Sequence, residues 1–163
     1  MVNLQQIKAN GFTFDVRTSG QASQQAIFFL HGFPETSHMW VRLMEELGQL
    51  GYFCVAPNQR GYSLGAQPKG KKNYAMKHLV ADIYQLAQAF DIKRFHLVGH
   101  DWGAIIGWAF AQQFPRHLFS WTALSVPHPQ AFGEALTNDP EQAKMSAYIK
   151  RFQIPWFPER KIR

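Results

Sequence analysis

The chain is poor in cysteine, in acidic residues and in long apolar runs. Its one cysteine, Cys54, leaves no partner for an internal disulfide. That fits a reducing compartment, and a cytoplasmic location is the expectation. Eleven Asp and Glu stand against 17 Lys and Arg, so the net charge is +6. The basic residues gather in Lys69-Gly-Lys-Lys72 and Arg160-Lys-Ile-Arg163. Neither run interleaves with aromatic residues, so both read as solvated segments and no nucleic-acid partner is expected. The longest apolar stretch, 102–111, is too short to span a bilayer, and the polar N-terminus lacks a signal peptide's apolar core. No membrane association is therefore expected. His, Cys, Asp and Glu show no metal-ligand spacing, and nothing suggests a nucleotide, so neither metal nor cofactor is expected. Internal repeats and low-complexity segments are lacking too.

What remains is a globular composition, 46% hydrophobic over 163 residues, enough for one domain with a core. Leu4–Lys8 and Phe12–Arg17 read as strands around Asn10-Gly11, a strong hairpin signal. Further strands are expected at Ala26–Leu30, Phe53–Ala56, Phe95–Val98 and Trp121–Val126. Cys54 falls inside one of them and reads as a buried strand residue. Between strands the periodicity is helical. Trp40, Leu43, Leu47 and Leu50 share one face. So do Met76, Leu79/Val80, Ile83, Leu86/Ala87 and Phe90, with Asn73 as the expected N-cap. Alternating strand and helix predict an α/β fold, a mostly parallel sheet with helices on both faces. After Val126, Pro127-His-Pro129 breaks the alternation. Asp139-Pro-Glu-Gln142 then predicts a new helix, with Asp139 as N-cap, Pro140 in the first turn and Gln142 closing a capping box.

One run carries chemistry: Phe95-His-Leu-Val-Gly-His-Asp-Trp-Gly-Ala104. An apolar strand ends at Gly99 and an apolar helix begins near Trp102. Asp101 lies between, with Gly99 and Gly103 two positions either side. This is the Gly-x-Nu-x-Gly pattern of a nucleophile elbow, with aspartate where an esterase has serine. The apex residue sits in an unfavourable backbone region, and only small residues fit beside it. A carboxylate nucleophile suits displacement at carbon. Its attack on an ester would give an anhydride, so a serine-type esterase is disfavoured. The bland alternative is a glycine-rich turn with Asp101 as a helix N-cap.

The second motif, His31-Gly32-Phe33-Pro34-Glu35, follows the strand Ala26–Leu30. Ligands of open α/β sheets bind outside the carboxyl ends of the strands, so both motifs fall on one edge. With the two runs together, the chain resembles the α/β-hydrolase fold and, within it, the epoxide hydrolase branch, whose pattern is His-Gly-Phe-Pro-Glu followed by Gly-His-Asp-Trp-Gly. Pro57-Asn-Gln-Arg-Gly-Tyr-Ser63 resembles the loop after that family's next strand, with Asn58 where Asp is usual. The resemblance covers essentially the whole chain, but only the N-terminal part of the family's length. It implies a core at 1–127, truncated at the start of a helical cap at 128–163.

The resemblance also implies roles. Asp101 would attack an epoxide carbon and form an alkyl ester that water hydrolyses. Phe33 and Trp102 would donate backbone N–H groups to an oxyanion hole, shaped by His31 and Gly32. The Phe33–Pro34 bond is a candidate for cis geometry. Packing in a pocket wall is the plainer reading of the Phe33 and Trp102 side chains. Tyr148 resembles the first cap tyrosine, which hydrogen-bonds the epoxide oxygen; packing is the alternative. The family's histidine base and its acid lie C-terminal to the cap, beyond Arg163. Of the histidines present, His117 follows the elbow helix, about a dozen residues or roughly 18 Å from Asp101. His100 should turn away. His128, between two prolines, reads as a hinge residue more readily than as a base. The chain alone is thus expected to be inactive or single-turnover.

Two alternatives stay open. The first is a haloalkane dehalogenase, which also uses an elbow aspartate on a small hydrophobic halide. Trp102 could donate its indole N–H to the halide, but Phe33 cannot donate from its side chain and Trp156 is a remote second donor. A fluoroacetate dehalogenase would carry Arg at position 102. The second is a non-catalytic fragment, or a partner completing another chain. Trp121–Val126 would be an unpaired apolar edge strand, open to self-association or to a complementing chain.

Overall fold

A computed structural model describes residues 1–152, the last three by backbone alone. Trp156 and the Arg160–Arg163 run lie outside the described residues. Six strands form one sheet: β1 (Asn3–Ala9), β2 (Phe12–Ser19), β3 (Gln25–Leu30), β4 (Tyr52–Pro57), β5 (Phe95–His100) and β6 (Leu118–Leu124). Their spatial order is β1-β2-β4-β3-β5-β6. β1, β2 and β4 pair antiparallel, while β4, β3, β5 and β6 run parallel. The hairpin turns at Asn10 and Gly11, both at positive φ, as a tight two-residue loop between twisted strands requires.

Helices cover both faces, as βαβ crossovers demand. β3 shows why its sequence is apolar from Ala26 to Leu30. Ala26, Phe28 and Leu30 enter one core, with Val55, Leu97, Ile83, Leu86 and Phe110. Ile27 and Phe29 enter the other, with Trp40, Met44, Cys54 and Ala56. Each fully buried Phe contributes about 1.5–3 kcal/mol of transfer free energy. α2 (Met76–Ala89) and α3 (Trp102–Gln113) supply the first core, and α1 (Val41–Gln49) borders the second.

Several boundaries differ from the sequence reading. On α1 the buried residue is Met44, while Leu43 and Leu50 are exposed. The helix lies closer to the sheet at Gly48, where a Cβ would overlap Ser19. Asn73 does not cap α2. It sits in a preceding 3-10 turn, and Ala75 holds the cap position without a side-chain bond. β6 begins three residues early, after the turn Pro115–His117, and ends at Leu124 because Ser125 turns to φ 65°.

A second unit begins at Pro127. It contains α4 (Pro129–Asn138), α5 (Pro140–Met145) and α6 (Ala147–Phe152). From sequence alone, Pro127-His-Pro129 is only a break in the alternation. Pro129 instead starts α4, because a first-turn proline gives up an N–H that no helix uses, and the His128 side chain accepts from Gln130 N. Asp139 caps α5 through Glu141 N and Gln142 N. Gln142 does not close a capping box: its amide donates forward to Ser146 Oγ at 2.8 Å. Among the described residues no helix is long and apolar enough to cross a membrane.

Candidate active site

The parallel register sets β3 beside β5, with Leu30 opposite Gly99. The chain leaving β3 therefore runs past the turn that leaves β5. Asp101 occupies that turn at φ 52° and ψ −120°, a strained conformation for a residue with a Cβ. Its carbonyl starts α3 by accepting from Ala104 N at 2.9 Å and Ile105 N at 3.1 Å. Its own N–H donates to Leu124 O at the end of β6.

The carboxylate does not cap α3. It turns across to the other motif, where Oδ1 accepts the Phe33 N–H at 2.9 Å. That bond separates an elbow from a capped helix. The approach is so close that a Cβ on Gly32 would overlap the Asp101 side chain. A Cβ on Gly99 would meet the Gly103 backbone, and one on Gly103 would meet Leu30 O and His31 O. The two elbow glycines thus let α3 rest on β5 and β3. Trp102 opens α3, so its N–H is among the first-turn amides that have no partner within the helix. The Phe33 and Trp102 side chains are about half exposed, at 52% and 54%. The Phe33–Pro34 bond is cis.

The loop after β4 supports this arrangement. Asn58 Oδ1 accepts from Ser37 N and Ser37 Oγ, at 3.0 and 2.7 Å. Two donors suit a neutral amide oxygen, so Asn58 works structurally where Asp is usual. Gln59 N–H donates to His31 Nε2 at 3.0 Å, and Gln59 Nε2 donates to His31 O. Nδ1 of His31 donates to Gly32 O at 2.9 Å. Burial holds the His31 imidazole below its ordinary pKa, against smaller opposing effects of the Gly32 carbonyl and Glu35. Tyr62 stands edge-on to His31, with ring centroids 4.6 Å apart. Burial, and then the charge of Asp101, push its phenol pKa up. The Tyr62 hydroxyl is thus held protonated within electrostatic reach of the carboxylate. The sequence alone points to neither Gln59 nor Tyr62. The available signal was only their place in a loop that must lie beside β3.

One more feature holds that loop. Arg60 makes a bidentate pair with Asp82 of α2, Nε to Oδ2 at 2.7 Å and Nη2 to Oδ1 at 2.6 Å. Both side chains are almost fully buried. Asn10 Nδ2 adds a bond to Asp82 Oδ1, and Arg60 Nη1 donates to Asn73 O. The guanidinium lies over the Phe12 ring, 4.5 Å from its centroid.

The histidines divide as follows. His117 donates to Lys93 O beyond the far end of α3. His100 keeps a buried Nδ1 without a hydrogen-bond partner. His128 Nδ1 is used as the cap of α4. Cys54 is buried, which pushes its thiol up to about 11 and leaves it a poor nucleophile. Tyr148 lies on α6 of the second unit and is 57% exposed.

The chain belongs to the α/β-hydrolase fold family, whose model matches residues 25–157. Its relatives and structural neighbours include epoxide hydrolases. It is 35% identical to the AB hydrolase superfamily protein YfhM of Bacillus subtilis over 162 residues, 99% of this chain and 57% of that protein. Human epoxide hydrolase 4 is 34% identical over 153 residues, 94% of this chain and 42% of that protein. Among solved structures, the M145A mutant of a Bacillus megaterium epoxide hydrolase superposes with a TM-score of 0.86 at 37% identity, covering 93% of this chain and 52% of that one. Epoxide hydrolase VrEH1 of Vigna radiata gives 0.79 at 33%, covering 95% and 50%. The chain spans about half the length of the relatives it matches.

Proposed function

We propose that the chain carries the nucleophile half of an epoxide hydrolase site, acting on a small hydrophobic epoxide. The observation that carries this is the hydrogen bond from Phe33 N–H to Asp101 Oδ1 at a strained strand-to-helix turn. With Oδ1 engaged, Oδ2 is the attacking oxygen. Its lone pair forms a bond to an epoxide carbon. The carbon–oxygen bond of the ring breaks, and that electron pair goes to the ring oxygen, which takes a proton from an acid, the part that the family resemblance gives to Tyr148. The product is an alkyl ester of Asp101 whose carbonyl oxygen stays on the Phe33 amide. Where a base is at hand to take the proton, water would then attack the ester carbon, and the amides of Phe33 and Trp102 would meet the oxyanion that forms. Phe33 and Trp102 line the approach, His31, Gly32 and Pro34 hold the first motif, and Gly99 and Gly103 hold the second. On this reading 1–127 is the core and 128–163 the start of the cap.

The 163-residue chain is proposed to stop at the ester. Removing a proton from the attacking water needs a base; His117 lies beyond the far end of α3, and Nδ1 of His100 is buried. A panel of small epoxides and haloalkanes tests the substrate class. Epoxides should leave a covalent adduct on the Asp101 peptide, and haloalkanes should release no halide. Halide release at comparable rates would move the chain to the dehalogenases, which it would have to reach without a donor in the Phe33 side chain.

β6 supports one further element of this reading. It ends the sheet among the described residues, and its Phe119 and Leu124 are exposed. Such an edge favours pairing with a second chain, either another copy or one that completes the fold. Sedimentation velocity at tens of micromolar should show association; a monomer throughout would remove the edge-pairing proposal.

A further inference from the structure

We propose that Gln59 is a positioning residue for the Phe33 amide, acting through His31; the proposal rests on the reading of Asp101 as nucleophile. A planar trans peptide points its C=O and N–H in opposite directions. Gly32 C=O and Phe33 N–H belong to one such unit. Whatever holds the Gly32 oxygen therefore aims the Phe33 amide. That oxygen is held by Nδ1 of His31, 2.9 Å away.

Nδ1 can donate only if it carries the ring proton. The Gln59 N–H ensures that it does, by donating to Nε2 at 3.0 Å and so requiring a lone pair there. The Gln59 side chain fixes the neighbouring peptide as well, through its bond to His31 O. One residue thus sets both the tautomer of His31 and the position of its backbone. His31 is fully buried and Gln59 nearly so, which leaves water little access to substitute.

The arrangement has a visible cost. With Nε2 committed to His31 O, Gln59 Oε1 is buried without a hydrogen-bond partner. A methionine would fill the same space without an orphaned acceptor. Packing alone thus disfavours glutamine here, and the bond to His31 O is what it adds.

The test uses the 163-residue chain and styrene oxide. Gln59→Met keeps the backbone N–H to His31 Nε2 and removes only the side-chain bond to His31 O; the alkylation rate at saturating epoxide should fall about tenfold, as a sub-ångström misplacement of the amide implies. The half-saturating concentration should not change. The Phe33 amide proton, deshielded by the carboxylate in the parent, should move upfield. A variant with parental rate and parental Phe33 shift overturns the proposal, whatever its melting temperature. If Gln59→Met does not fold, nitrogen NMR of the parent decides: His31 must be the neutral Nδ1–H tautomer at pH 7, and either the Nε2–H tautomer or an imidazolium overturns the proposal. If the parent is never alkylated, it is the nucleophile reading that fails. The Phe33 shift and the His31 tautomer still judge the positioning.

Discussion

Incubated with excess styrene oxide, the 163-residue chain should gain the mass of one epoxide and then stop. Peptide mapping should put the adduct on Asp101. Asp101→Asn should show none, a fall in alkylation rate on the order of 10⁴ or more. The substitution is gentle to the fold. An asparagine oxygen still accepts the Phe33 N–H, and the amide is close in size to the carboxylate. What it removes is a lone pair basic enough to open a strained ring. Two buried competitors are poorly placed: Cys54 has its thiol pushed up to about 11, and His31 is fully buried with both ring nitrogens engaged. An adduct on that same peptide that survives Asp101→Asn would refute the assignment. Repeated diol release by the parent would show that a base exists within the chain, and would point first to His100, whose Nδ1 has no hydrogen-bond partner.

The parts of this site that rest on backbone shape were legible in the sequence. Gly99 and Gly103 announce a turn too tight for a Cβ, and the apolar run before them announces a strand buried on both faces. Those two facts place Asp101 at the apex. The second motif ends another such strand, and parallel pairing brings the two together. Helix boundaries were less legible because they depend on tertiary approach. Leu43 fits the α1 stripe as well as Met44 does, but the tilt of α1 at Gly48 chooses Met44. Pro129 resembled a break because a proline ends a helix from inside and begins one from its first turn; which applies depends on whether a cap precedes it, and histidine is not a common cap. Polar groups that act over long sequence separation were not legible at all. Asp82 sits beside the apolar stripe of α2 and passes for a solvated flank. Only the structure brings Arg60, 22 residues away, against it.

That pair yields the largest expected effect on stability. Asp82→Ala strands a guanidinium whose side chain is 3% exposed, with bonds only to Asn73 O and the Phe12 ring face left to compensate it. Breaking one partner of a buried ion pair costs about 3–5 kcal/mol. At about 2–4 °C per kcal/mol for a chain of this size, the melting midpoint should fall on the order of 10 °C. Replacing both partners at once, Arg60→Met with Asp82→Leu, should cost less than the single change, because no charge is then left in the interior. Differential scanning calorimetry of the three chains gives the ordering directly. The pair also fastens the loop that carries Gln59, since Arg60 is its next residue. The double variant therefore separates two contributions of the ion pair. Should it melt near the parent yet alkylate Asp101 more slowly, the pair's main use is to hold the loop against His31. Should it melt as low as Asp82→Ala, the bonds from Arg60 to Asn73 and Phe12 matter more than the uncompensated charge, and the desolvation argument fails.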